Sequence, residues 1–349
     1  MESSNLKKAA LLTLVLVLAA TAGWEMYLRN KGMWISYDDN EGLWSDKRSK
    51  VYKPSDGATV FIGSSRIKYD LDIPTWEKIT GDEAIQLAMV GSNPRPVLEN
   101  LADDKKFHGK LVIDVTEGLF FSPEGGRSTP DKNLGYYKKI TPAQRFSFQV
   151  NHVLESHLVF LDKNYFSLNS LLGAIPVHER PEVYGGPHFP QDFGKVSFER
   201  QTSMTDKFVA DTNLQNQVKS IWGEFRKRSK DMPVTGAALD SIINSVKSCT
   251  NRIIARGGKI IFVRTPSSGP YLAGERMGFP REKYWDKLLS VTKCPGIHFE
   301  DYPAIAHFVC PEWSHLSPKD AIVFTKNFIS ILEEKGWTFP KKQLAFNGN

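Results

Sequence analysis

Ala58-Thr59-Val60-Phe61-Ile62-Gly63-Ser64-Ser65-Arg66 is the stretch on which the reading of this chain turns. Five apolar or β-branched residues run together without polar alternation and stop at a glycine. A strand of that kind is buried on both faces, the condition of a parallel sheet covered by helices. Residues 84–90 form a second such run, ending at Gly91-Ser92-Asn93-Pro94, after which a helix covers 97–103 with proline in its first turn. Lys110-Leu111-Val112-Ile113-Asp114-Val115 reads as a third strand. Lys259-Ile260-Ile261-Phe262-Val263 is a fourth, ending at Arg264-Thr265-Pro266, and Ile297-His298-Phe299-Glu300 is a shorter fifth. Amphipathic helices are predicted over 239–256, stopped by Gly257-Gly258, and over 321–335. Strands alternating with helices imply an α/β fold, a three-layer parallel sheet flanked by helices with right-handed crossovers. Ligands of such sheets bind at the carboxyl ends of the strands.

Between residues 122 and 234 the strand signal disappears. Proline, glycine and aromatic residues dominate at first, helical patterns follow over 149–161 and 213–230, and 175–198 reads as a long loop. This is an insertion, largely helix and loop, which either covers the site or packs aside and serves partners. Ahead of the first strand, residues 29–57 form a lead-in, with Tyr37-Asp38-Asp39-Asn40 as a turn and Leu43-Trp44 as a docking point. The α/β domain spans 58–339, and 340–349 is a polar tail.

Residues 1–28 read as a membrane anchor or signal segment. Lys7-Lys8 precede an uncharged apolar run over 9–24, and positive charge on that side favours a cytoplasmic N-terminus with the remainder sent outward. The run is short against the ~20 residues of a spanning helix. Trp24, Tyr27, Arg29 and Lys31 would form an interfacial collar, whereas Ala20-Thr21-Ala22 resembles a signal-peptidase site. Both outcomes place the domain outside the cytoplasm, as a single-pass membrane protein or a secreted one.

Lys and Arg exceed Asp and Glu by 45 to 39, a formal +6 spread along the 349 residues with no stripe of the kind nucleic acid requires. With 41% hydrophobic residues the chain can fill a large core. Cys249, Cys294 and Cys310 make no CxxC pair, so a zinc knuckle is excluded. Outside the cytoplasm Cys294 and Cys310 either bridge or stay free. His178 and His188 lack ligand spacing, His298 and His307 read as structural, and no metal site or phosphate-binding glycine loop is expected.

Two features at the strand ends carry chemistry. A serine on a tight strand-to-helix turn exposes its hydroxyl and sets its N–H at a helix start, although Ser64 and Ser65 would equally serve as helix caps. Pro311-Glu312-Trp313-Ser314-His315-Leu316-Ser317-Pro318 stands just before the last helix. There an acid three residues ahead of a histidine can orient it as the base that a serine nucleophile needs.

Together these blocks resemble the SGNH/GDSL hydrolase superfamily, in its membrane-tethered bacterial form. Its first block reads GDS and its last DxxH; here Gly63-Ser64-Ser65 and Glu312-Trp313-Ser314-His315 stand in those places, followed by Leu316-Ser317. The resemblance spans 58–335 apart from the insertion. It implies Ser65 as nucleophile, His315 as base, Glu312 as its orienter, and the N–H groups of Ser65 and Gly91 as an oxyanion hole. The third block departs: the family has GxND, this chain Val115-Thr116-Glu117-Gly118, with Glu117 near the asparagine position. Losing one oxyanion donor costs on the order of 10²–10³ in rate. Asn93 is the substitute amide, unless it is the turn residue that Asn before Pro commonly is. Arg66 and Arg264 either bind an anionic substrate group or neutralise Asp114, Glu117 or Asp70.

The resemblance and the leader imply an extracytoplasmic serine esterase or O-acyltransferase, without cofactor, acting on an acylated glycan or another envelope ester. One alternative is a catalytically silent binding or assembly protein of the cell envelope, working with protein partners. Another is a flavodoxin-like domain in which the serine and histidine never meet.

Overall fold

The computed structural model describes residues 2–53, 57–173, 175, 188–228 and 232–340. His178 and residues 341–349 of the tail lie outside the described residues. The chain forms two compact units, Met1–Asp38 with Thr141–Gly186, and Asp39–Ile140 with Pro187–Asn349.

The larger unit holds a sheet of β1 (Ala58–Ile62), β2 (Glu83–Gln86), β3 (Lys110–Asp114), β4 (Lys259–Arg264) and β5 (Gly296–His298). All neighbours are parallel, in the order β2-β1-β3-β4-β5. The chain steps outward from β1 to β2 and then crosses back to β3. The carboxyl ends of β1 and β3 therefore flank the switch point where doubly wound sheets of this order take their ligands.

Its principal helices are α1 (Glu41–Ser49), α2 (Ser65–Asp70), α3 (Ile73–Thr80), α4 (Arg95–Asp103), α5 (Thr212–Arg228), α6 (Gly236–Ile254), α7 (Gly269–Gly278), α8 (Trp285–Thr292) and α9 (Pro318–Glu334). Strand pleating sends Val60, Ile62, Leu111, Ile113, Ile260 and Phe262 into one core, closed by Trp44 of α1, Leu98 of α4, Val246 of α6 and Leu288 of α8. Phe61, Val112, Ile261 and Val263 face the opposite core, filled by Ile67 of α2, Trp76 of α3 and Phe324 and Phe328 of α9. This is the three-layer α/β architecture expected from continuous apolar strands.

The differences from sequence lie at element ends. The second strand stops at Gln86 because its side-chain oxygen takes the Ala88 N–H (3.0 Å), yet Leu87 and Met89 still donate to Phe61 and Gly63 (2.8 and 3.2 Å). The fifth ends at His298, whose Nδ1 accepts the Glu300 N–H (3.3 Å) and starts a 3₁₀ turn. The helix expected over 149–161 begins at Pro142, where Thr141 and Gln144 form a capping box, and ends at Glu155. Gly257, at φ 87°, ends the helix after Ile254. In the lead-in, Trp44 is fully buried and donates to the Leu87 carbonyl (3.0 Å).

Of the stretch read as one insertion, residues from Pro187 onward belong to the unit that carries the sheet. There Lys195–Val196 pairs antiparallel with Thr202–Ser203, and Phe193, Met204, Phe208 and Val218 pack around Tyr69 of α2.

The smaller unit contains a 29-residue helix, Glu2–Asn30, which outruns the apolar run at both ends. It is long and apolar enough to cross a membrane or to act as a signal sequence, with a mean hydropathy of 1.8 in its apolar window. Within the same unit are the helices Pro142–Glu155, Lys163–Phe166 and Leu168–Gly173. Glu25 accepts the N–H groups of Val159 and Phe160 (3.0 and 3.3 Å), and Arg29 donates to the His157 carbonyl (2.9 Å).

Candidate active site

The turn after β1 separates the roles of two adjacent serines. Gly63 lies against β3 so closely that a Cβ there would stand 2.5 Å from the Asp114 Cβ and 2.8 Å from Ile67. Only glycine lets the chain turn at that point. Ser64 is buried and structural. Its hydroxyl accepts the Arg66 N–H (3.4 Å) as the cap of α2 and bonds Thr116 Oγ1 (2.6 Å), while its N–H donates to Asp114 (3.3 Å). Ser65, the first residue of α2, is partly exposed.

Ser65 Oγ lies 2.8 Å from His315 Nε2, and His315 Nδ1 lies 2.9 Å from Glu312 Oε1. Glu312 and His315 are buried, at 0% and 1% exposure. The same carboxylate oxygen accepts the backbone N–H groups of Ser314 (3.2 Å) and His315 (2.6 Å). This fold-back requires a reversal at Trp313, whose φ of 79° is unusual for a bulky side chain. The Glu312 carboxylate fixes His315 Nδ1 as the protonated nitrogen and leaves Nε2 to accept from Ser65.

Two braces hold this relay. Asp70, at the end of α2, accepts the Leu316 N–H (2.9 Å) and so ties the serine's helix to the histidine's loop. Burial and the nearby Asp114 push the Asp70 carboxyl well above the usual carboxylate range. The second brace comes from the former insertion: the indole N–H of Trp222 on α5 donates to Glu312 Oε2. The rings of Tyr69, Phe193 and Trp222 surround the imidazole at centroid distances of 4.3, 5.7 and 6.2 Å. The insertion thus takes part in the site.

Arg66 and Arg264 are both buried, at 1% and 2% exposure, and are engaged within the protein. Arg66 pairs with Glu275 of α7, and its Nε reaches Ser314 (3.4 Å). Arg264 pairs with Glu275 and with Glu117 (3.0 Å), and bonds the Thr265 carbonyl (2.6 Å). Both arginines thus pair with carboxylates, the alternative that the sequence left open beside substrate binding. Glu117 is the partner of Arg264, and the shared Glu275 is new. Burial raises the Glu117 carboxyl although Arg264 faces it, and its charge is matched locally rather than left to repel an oxyanion. Asn93 is fully buried, its amide donates to the Ser122 carbonyl (3.2 Å) and its oxygen caps Arg95 N (3.0 Å), so it acts as the turn residue. Gly91 sits exposed two residues beyond the Met89–Gly63 bond that holds its loop along β1.

Cys249, Cys294 and Cys310 are free and buried, so no bridge joins the last two. His298 is pulled down to about 3 by burial and by Arg264. His307 bonds the Pro303 carbonyl (3.1 Å), and the His188 carbonyl accepts from Gln217 (3.4 Å). Among the described residues no group of three His, Cys, Asp or Glu side chains converges as metal ligands would.

Tyr69 had a local signal, standing four residues after Ser65 on one helix face. Trp222 and Glu275 had none, since they arrive from distant helices. The chain matches no protein-family model and no curated protein.

Proposed function

We propose that this protein is an SGNH-type serine hydrolase, an esterase or O-acyltransferase, held outside the cytoplasm by its N-terminal helix and acting on an acylated glycan or another envelope ester. The observation that carries the reading is the Ser65–His315–Glu312 relay, with contacts of 2.8 and 2.9 Å at the carboxyl edge of β1. Lys7 and Lys8 ahead of the apolar run favour a cytoplasmic N-terminus.

In the reaction, His315 Nε2 takes the Ser65 proton as Oγ bonds to the ester carbonyl carbon. The tetrahedral oxyanion is met by the backbone N–H groups of Ser65 and Gly91. The C–O bond to the leaving alcohol then breaks, and Nε2 returns the proton to that alcohol. Water or a sugar hydroxyl next gives its proton to Nε2 and attacks the acyl-serine carbonyl; the acyl C–Oγ bond breaks, Nε2 returns the proton to Oγ, and the acid or a new ester leaves with Ser65 restored. Glu312 stabilises the imidazolium formed on the way.

A second reading, a silent binding or assembly protein using the same cleft, is favoured by one observation. Glu117, near the third-block asparagine position, is a carboxylate paired with Arg264 rather than a donor, and one N–H of the Asn93 amide is taken by the Ser122 carbonyl. Fluorophosphonate labelling of the full-length protein beside Ser65→Ala and His315→Ala distinguishes the readings. A hydrolase labels in the parent and in neither variant. A folded parent that stays unlabelled overturns the hydrolase reading.

A further inference from the structure

We infer that residues 141–173 form a foot that embeds in the membrane surface beside the N-terminal helix, with lipid acyl chains covering its apolar face. The proposal rests on the anchor reading of that helix. In Pro142–Glu155, Phe146, Val150, Val153 and Leu154 recur at the spacing of a single helical stripe. A stripe of that kind ordinarily faces a core, yet these side chains are 73, 44, 57 and 46% exposed. On the opposite side the helix makes a contact with the rest of its unit, where His152 meets Tyr37 at 5.7 Å. Leu168, Leu171 and Leu172 of the helix Leu168–Gly173 repeat the pattern and are all exposed. An apolar surface of this extent is costly in water and marks a contact.

The lipid surface is chosen over a protein because of where the foot is fastened. Glu25 and Arg29 hold the backbone of residues 157–160, just past the apolar run 9–24. Trp24 stacks on Tyr27 at 5.5 Å and meets Phe166 edge-on at 6.4 Å. Aromatic side chains at the end of a spanning segment sit at the headgroup level. An apolar stripe fixed at that level enters the interface, where amphipathic helices lie in plane with their apolar face about 5–10 Å deep.

The test uses full-length protein in phosphatidylcholine vesicles, with nitroxide labels on single added cysteines at F146C, V150C, L154C and L171C, and away from the stripe at R145C and N151C. These positions are exposed, so the labels leave the core intact, and the buried native thiols make the parent the background. Collision with oxygen, which concentrates in the bilayer, is compared with collision with an aqueous nickel chelate. The expected oxygen-to-nickel ratio is several-fold higher at 146, 150, 154 and 171 than at 145 and 151. Equal ratios overturn the proposal, and exclusion of both reagents at the apolar positions overturns it in favour of a covering protein. A label at L14C reports the anchor separately. An aqueous or missing signal there overturns the anchor reading, while the ratios at 146, 150 and 154 still decide the foot.

Discussion

Glu312→Gln would exchange a carboxylate that faces only donors for a group with one oxygen and one NH₂. Oε1 accepts from the Ser314 and His315 N–H groups and from His315 Nδ1, and Oε2 accepts from the Trp222 indole. Whichever way the glutamine turns, its NH₂ meets a donor. The smaller conflict sets the amide against Trp222 alone. In the parent, Trp222→Phe removes a hydrogen bond to a charged group and should cost about 1.5–3 kcal/mol. In the Glu312→Gln background the same change removes an opposed donor, so it should cost nothing or stabilise. The double-mutant cycle should show a coupling of about 1.5–3 kcal/mol with a reversed sign for Trp222→Phe. Urea midpoints of the four proteins in detergent measure it. Labelling rates should behave differently: Glu312→Gln should lose on the order of 10³–10⁴, because no anion then faces the imidazolium, and Trp222→Phe should not restore it. Additivity of the two substitutions within about 0.5 kcal/mol would refute the donor-only account of Glu312.

Gly63→Ala drives a Cβ into Asp114 and Ile67, both in the core, and should destabilise by about 1–3 kcal/mol or more in the same unfolding assay. Glu275→Gln leaves Arg66 buried beside a neutral partner, while Arg264 keeps only Glu117; a loss of about 3–5 kcal/mol is expected, read as a lowered midpoint. Asp70→Asn keeps the acceptor for Leu316 N and replaces a carboxyl already raised by burial, so stability should change by under about 1 kcal/mol. Asp70→Ala should cost about 1–3 kcal/mol and slow labelling. Burial opposes the ionisation of Asp39, but Arg200 and Lys68 outweigh it and hold the group at about 2, below its ordinary 3.8. The unfolded chain then binds the proton first. About 2 kcal/mol present above pH 3.8 should be lost as pH falls towards 2, an acid limb that Asp39→Asn removes from midpoints measured between pH 5 and 2.

Local patterning alone determined the sheet and the placing of Ser65 and His315 at its carboxyl edge. Strands buried on both faces must be apolar throughout, and a turn as tight as Gly63-Ser64-Ser65 admits few residues. Those constraints act within a few residues and are therefore written in the sequence. The ends of β2, β5 and the helix Pro142–Glu155 were less legible, because single side-chain bonds from Gln86, His298 and the Thr141–Gln144 box set them. Only the tertiary structure decided which of the two serines caps and which is exposed, since both roles suit the residue type. It also decided that Arg66 and Arg264 pair with carboxylates, that Asn93 is a turn residue, and that Trp222 holds Glu312. Each of these involves at least one partner more than twenty residues away, and burial makes such partners obligatory without leaving any periodic trace along the chain.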